Sequence, residues 1–265
     1  MPFRIHRIGD LDLLSCRFGP GGEAEMIVTT RRGGFSFGRR DLNVSRGTGD
    51  EADDVSHNRD KLLSALGLSS SGVAGLRQRH SDVVVEADES SWDRLVGREL
   101  NGDGLVTRMA GRWLSVGVGD CLPVALFDPA RRVIALLHAG WVGTANRIVE
   151  AALSKVVGEF GSNPADLHAV LGPCIRHSAY QVDGPVLERF GRRWRGWRRF
   201  VYDSGGGRAY LDLAGANRGL LLEGGVLPER IADFGLCTHA LPALFFSHRR
   251  DGQPSGRMLV LAAQH

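Results

Sequence analysis

Two histidines and one cysteine stand at the ends of apolar runs, beside small residues that give a side chain room to be aimed. His80 lies in Leu76-Arg-Gln-Arg-His-Ser-Asp, in the turn between two strand-like runs. Cys121 lies in Val116-Gly-Val-Gly-Asp-Cys-Leu-Pro-Val, at the mouth of a strand. His138 closes Val133-Ile-Ala-Leu-Leu-His and precedes Ala-Gly-Trp-Val-Gly-Thr, a glycine-bracketed entry into a helix. Together they form the donor set of a three-ligand metal site, which leaves a position for water or substrate. With two neutral imidazoles and one thiolate, Zn²⁺ keeps positive charge and can lower the pKa of bound water to about 7. The interval of 17 residues from Cys121 to His138 matches no compact zinc motif. Spacing therefore also admits a Cys121 nucleophile with His138 as its base, in a cysteine hydrolase or deamidase. A zinc-stabilised interaction protein without catalysis is a third reading.

The elements that must position these residues are mostly strands. Short alternating or β-branched runs bounded by Gly, Pro or Asp predict strands over 11–18, 24–29, 73–77, 83–87, 114–118, 124–127, 133–137, 167–171, 200–202, 209–213, 231–236 and 258–262. Apolar residues at helical spacing predict helices over 53–66, 144–160, 185–197 and 213–223. Gly67 and Gly161 stand where helix C-terminal stops belong. Strands outnumber helices and come in groups, which points to an α+β fold with a mixed sheet and helices packed on it. The stretches 33–54 and 204–208 read as loops, too short for domain linkers, so residues 1–265 are expected to form one domain.

Composition narrows the function classes. The chain has 265 residues, 43% of them apolar, with 33 Lys and Arg against 30 Asp and Glu. That excludes disordered and fibrous classes. The basic residues are 31 Arg and only two Lys, Lys61 and Lys155, and the net charge of +3 is small for this length. The Arg-rich run 189–199 carries Phe190, Trp194 and Trp197 at helical spacing, so it reads as an amphipathic helix with a solvated cationic face. No nucleic-acid groove is expected. Met1-Pro-Phe-Arg-Ile-His-Arg lacks the apolar core of a signal peptide, and no run is long enough to span a membrane. Four scattered cysteines without a Cys-x-x-Cys pair predict free thiols. A soluble cytoplasmic protein is expected.

The motifs, taken in order, resemble one family over nearly the whole chain. They are Gly33-Gly-Phe-Ser, Asp41-Leu-Asn, Asn58-Arg, Gln78-Arg-His, Gly102-Asp-Gly-Leu-Val-Thr, Asp120-Cys-Leu-Pro, His138-Ala-Gly-Trp and Leu171-Gly-Pro. Then come Tyr180-Gln-Val, Leu211-Asp-Leu, Ala216-Asn-Arg, Cys237-Thr-His, Phe246-Ser-His-Arg-Arg-Asp-Gly and Gly256-Arg. This series is similar to the YfiH/laccase-domain family of multi-copper polyphenol oxidase-like proteins, described as purine nucleoside phosphorylases.

The resemblance implies a three-layer α-β-α fold and zinc held by His80, Cys121 and His138, which are also the catalytic residues. It implies phosphorolysis of adenosine, inosine, guanosine and methylthioadenosine, with adenosine deamination alongside. The partners would be purine nucleosides and phosphate, and the protein a monomer or weak homodimer. Asn43, Gln78 and Asp103 are candidate substrate contacts, while Asp120 is expected to orient a histidine ligand. The sequence departs from the family at Val142, where Arg is usual, at Ala179-Tyr-Gln-Val, where Cys-Tyr-Glu-Val is usual, and at His248, where an aromatic is usual. Arg147 and Arg176 are the expected substitutes for the missing phosphate-binding Arg. Copper can occupy such a His₂Cys site in vitro. The nine histidines contain no His-x-His pair, so multicopper laccase chemistry is not expected. A role in cell-wall peptide editing accompanies the hydrolase alternative.

Overall fold

A computed structural model describes residues 3–203 and 208–265. Most of the loop expected at 204–208 lies outside the described residues.

The fold is α+β, and the strands expected from alternation and β-branching are all present. The first sheet runs in the order Arg4–Ile8, Leu11–Phe18, Ala24–Thr29, Met258–Gln264, Trp113–Val118, Val73–Gly75. The second runs Ile231–Asp233, His168–Leu171, Leu122–Asp128, Val133–Ala139, Gly104–Thr107, Val84–Glu86. Both are mixed: parallel pairs sit at the edges, and the interior pairs are antiparallel. A small third sheet joins Gln181–Val182, Ala209–Leu211 and Val201–Asp203.

Helices flank the β structure on both sides, as an α-β-α arrangement requires, and the β layer between them is two stacked sheets. Leu14, Met26, Val116 and Val260 of the first sheet share a core with Ala125, Phe127, Ile134 and Val170 of the second. Alternation explains this: residues pointing the other way serve the outer cores. On the first sheet Leu13, Ile27 and Leu261 meet Leu62 of the helix Ala52–Ala65. On the second, Val124, Leu126 and Leu137 meet the helices Ile148–Gly158 and Leu213–Glu223. Buried on both faces, the strands Leu122–Asp128 and Val133–Ala139 are apolar almost throughout.

The helix expected over 144–160 is broken. Arg147 takes a left-handed backbone (φ 69°), so a short helix, Trp141–Ala145, precedes Ile148–Gly158. The Arg-rich segment is α-helical only as far as Arg193, in the helix Gly184–Arg193, and a 3-10 turn follows over Trp197–Phe200; Phe190, Trp194 and Trp197 are buried and most of its arginines are exposed. All four cysteines are free thiols. Among the described residues no helix is long and apolar enough to cross a membrane.

Candidate metal centre

Strand register brings the cysteine to the second histidine. In the hairpin of Leu122–Asp128 with Val133–Ala139, His138 opposes Pro123 and Ala139 opposes Leu122, so Cys121 emerges beside Gly140. On the other side, Leu137 opposes Gly104, which sets Asp103 beside His138. His80 arrives on the loop that follows the strand Val73–Gly75. The donor atoms of His80, Cys121 and His138 all lie within 4.8 Å of one another, and the two imidazole rings meet edge to face at 5.0 Å.

Asp103 holds this arrangement together. It is fully buried between two glycines. One carboxylate oxygen lies 2.8 Å from His138 Nδ1 and accepts the His80 backbone N–H at 3.0 Å. The other accepts the N–H groups of Arg79 and Ser81 and the Ser81 hydroxyl. Burial pushes the Asp103 carboxyl up, but these donors, His138 first, outweigh it and hold the group well below the usual carboxylate range. With Nδ1 engaged, His138 turns Nε2 toward the donor cluster, the arrangement in which a carboxylate fixes a metal-ligating imidazole.

Two residues at the site adopt left-handed backbones although neither is glycine: His80 (φ 56°) and Asp120 (φ 98°). Such conformations persist where neighbouring bonds impose them. Asp103 does so for His80. Asp120 accepts the Thr238 hydroxyl at 2.6 Å, the Ser247 hydroxyl at 3.0 Å and the Arg249 N–H at 2.7 Å. Asp120 therefore fixes the cysteine-bearing turn, and the role of orienting a histidine, expected of it, belongs to Asp103. Gly140 is required for a different reason. A Cβ there would stand 2.8 Å from Cys121 Sγ and 3.0 Å from His80 Cδ2.

The electrostatics suit a thiolate. Burial pushes the Cys121 thiol up, yet the two histidines, His138 foremost, draw it down to about 6. Burial likewise lowers His138, while the Cys121 charge and the Asp103 bond raise it to about 9. Two imidazoles and a thiolate, gathered closely enough to share one ion and backed by a buried carboxylate, fit a zinc-type site.

The other candidate contacts have their side chains committed to the protein. Asn43 donates to Ser45 O, Thr48 Oγ1 and Asp50, and accepts the N–H groups of Ser45 and Arg257. Gln78 clamps the Gly117 peptide at both ends. Arg147 pairs with Glu150 and Glu223 and stacks over Trp194. Arg176 pairs with Asp233 through both terminal nitrogens. These groups support the loops around the site, and neither arginine is brought to the donor cluster.

A cleft that the sequence reading did not single out adjoins the cluster. Its volume is about 480 Å³, and Trp141, Tyr180, Gln181, Val182 and Arg249 line it. Trp141 directly follows Gly140. Burial raises the Tyr180 phenol, the Cys121 charge raises it further, and Arg249 acts the other way. The Arg249 guanidinium sits 5.1 Å from the Tyr180 ring centroid and donates to Gln181 O at 2.6 Å. All three side chains belong to motifs visible in the sequence. What points to them is the pairing of aromatic and cationic types beside His138-Ala-Gly and Asp120-Cys.

Fold and donor cluster together define a class, and comparison with known proteins agrees. Residues 25–264 match the family model described as multi-copper polyphenol oxidoreductase laccase, and the chain belongs to that family. A purine nucleoside phosphorylase of Deinococcus radiodurans is 39% identical over 235 residues, covering 87% of this chain and 85% of the relative. An adenosine deaminase from an unknown prokaryotic organism is 32% identical over 221 residues, covering 82% and 84%. The crystal structure of YlmD from Geobacillus stearothermophilus superposes with a TM-score of 0.91 at 30% identity, covering 100% of both chains.

Proposed function

We propose that residues 1–265 form a single-domain, zinc-dependent purine nucleoside phosphorylase with adenosine deaminase and methylthioadenosine phosphorylase side activities, acting in the cytoplasm as a monomer or weak homodimer. The observation that carries this is the His80–Cys121–His138 cluster opening beside a cleft walled by Trp141 and Tyr180. Relatives named purine nucleoside phosphorylase and adenosine deaminase support the two activities. Zinc bound here supplies a Lewis acid and an activated water.

The remaining chemistry falls to the chain. Trp141 and Tyr180 offer flat faces on which a purine can stack. Arg249, with donors left over after its bond to Gln181 O, is the cation placed to take phosphate. In phosphorolysis a phosphate oxygen bonds to ribose C1′ as the C1′–N9 bond breaks. The electron pair leaves with the purine, which takes up a proton. The Tyr180 phenol, kept protonated by its surroundings, is the hydroxyl donor among the residues that line the cleft. Laccase chemistry is not part of this function, since the described residues gather one three-donor cluster and oxygen reduction to water needs several coppers.

One observation favours a second reading. A thiol drawn down to about 6 beside an imidazole raised to about 9 is also the pattern of a Cys121–His138 nucleophile–base pair. The same experiment separates the two. Zinc-loaded protein is incubated with adenosine, with and without phosphate, and then with chelator. Adenine and ribose 1-phosphate appearing only with phosphate, inosine appearing without it, and both lost on chelation are expected. Undiminished turnover of any substrate in metal-free protein would replace the zinc enzyme with the cysteine hydrolase.

A further inference from the structure

Away from the metal cluster, three guanidinium groups gather and, among the described residues, none of them forms an ion pair. Arg59 stands on the helix Ala52–Ala65, Arg46 on the loop before it, and Arg98 just beyond the helix Trp92–Val96. Arg46 and Arg59 line a cavity of about 220 Å³ whose apolar walls include Leu62, Val73 and Leu259. Elsewhere the half-buried arginines have partners: Arg31 on Asp41, Arg176 on Asp233, Arg230 on Asp166. Among the described residues, the side chains of Arg46 and Arg59 make no hydrogen bond or ion pair. That of Arg98 makes one, to the Ser115 hydroxyl at 3.1 Å.

The seat of Arg98 is built into the fold. A Cβ on residue 75 would stand 2.7 Å from its guanidinium carbon, so Gly75 leaves the space it fills. Burial draws Arg98 down to about 10, with the Arg59 charge adding to the effect, and burial followed by the Arg46 charge lowers Arg59 as well. Like charges converging in a partly dry pocket oppose folding unless an anion joins them. Arg46, Arg59 and Asp60 line the cavity, and Arg98 stands behind the lining, close enough to Arg59 to feel its charge, so three guanidiniums against one carboxylate leave a net of +2 in and around it.

We infer that this cavity is a second ligand site, taking a small phosphomonoester. A phosphomonoester carries about −1.5 to −2 at neutral pH, which balances that net charge where a single carboxylate would not. Guanidinium forks match phosphate oxygens, and the Leu62, Val73 and Leu259 walls accept a short carbon body. Asp60 lies at the cavity as the acidic group that a second bound anion would have to meet.

Titration calorimetry of the full chain with ribose 5-phosphate tests this, on wild type, Arg46→Ala and Arg59→Met, with inorganic phosphate as a parallel probe. Ribose 5-phosphate should bind wild type, and each variant should raise the Kd about tenfold or more, the loss of one charge-assisted contact. Zinc content should not change. Inorganic phosphate should bind the same place more weakly, lacking contact with the apolar walls. Arg46 is exposed, so Arg46→Ala decides the matter even if Arg59→Met does not fold. Affinity unaltered by Arg46→Ala but lost in Cys121→Ser would place the ligand at the metal cluster and overturn the inference. So would the absence of binding at millimolar ligand, or equal affinity for inorganic phosphate.

Discussion

Asp103 and His138 are joined twice: His138 Nδ1 lies 2.8 Å from the carboxylate, and the His138 N–H donates to the Asp103 carbonyl at 2.7 Å. Because the same carboxylate also grips the backbone of residues 79–81, one buried side chain sets both imidazoles. Asp103→Asn keeps the shape but removes the charge and turns one acceptor oxygen into a donor. Metal affinity should fall about 10- to 100-fold, measured by competition with a chromogenic chelator. Unchanged affinity would mean that Asp103 serves only the loop.

Cys121→Ala should lose bound zinc and all activity. In wild type the Cys121 thiolate should resist iodoacetamide until chelator is added, whereas Cys174, fully buried with its thiol pushed up, should stay unlabelled throughout. Peptide mass spectrometry reads both. Stoichiometric zinc in Cys121→Ala would remove Cys121 from the donor set.

Gly140→Ala should separate metal from fold. The added Cβ meets the sulfur and the His80 ring while the strand behind it is untouched. Zinc content should drop sharply with little change in the denaturation midpoint of the metal-free protein. A retained zinc atom would show that the cluster can spread without cost.

Val142 is half-buried on the short helix after Gly140, and Arg147 and Arg176 are both held in ion pairs. Val142→Arg should therefore strengthen phosphate use. A charge-assisted contact contributes roughly 1.5–3 kcal/mol, or about one to two decades in phosphate KM. Deamination needs no phosphate and should change less. Arg147→Ala and Arg176→Ala should leave phosphate KM alone, and Arg249→Ala should raise it. Steady-state kinetics at varied phosphate would expose a contrary pattern directly.

His168 sets a pH limit on stability. It is buried on the strand His168–Leu171 with Nδ1 unpartnered; burial lowers its pKa below 6.5, the Arg230 charge lowers it further, and Glu23 opposes both. A histidine kept neutral in the fold contributes stability above its unfolded pKa. That contribution shrinks as pH falls through 6.5 toward the lower folded value. Denaturant midpoints at pH 7.5 and 5.5 should diverge, about as a single proton requires, and His168→Gln should flatten the difference.

The inner strands were legible because burial writes itself into sequence as alternation or as unbroken apolar runs. Two strands carry no such mark. Arg4–Ile8, at a sheet edge, is charged and mostly exposed, and Gly104–Thr107, inside the second sheet, looks like a glycine turn. The break at Arg147 was hidden because apolar spacing continues across it. His80, Cys121 and His138 could be picked out by type and position. Asp103 and Asp120 could not be given their roles, since each holds partners distant in sequence: His138 lies 35 residues from Asp103, and Ser247 lies 127 from Asp120.

The strand Met258–Gln264 lies between Ala24–Thr29 and Trp113–Val118, the sole bridge in its sheet between the first three strands and the last two. Until those residues leave the ribosome, the opening meander has no neighbour to zip onto and the inter-sheet core lacks Met258, Val260 and Ala262. Assembly of the sheet thus waits until residue 264 has been made. The metal hairpin, its pairing local, can form much earlier. A nascent chain would present its three metal donors before it could close the body that shelters them.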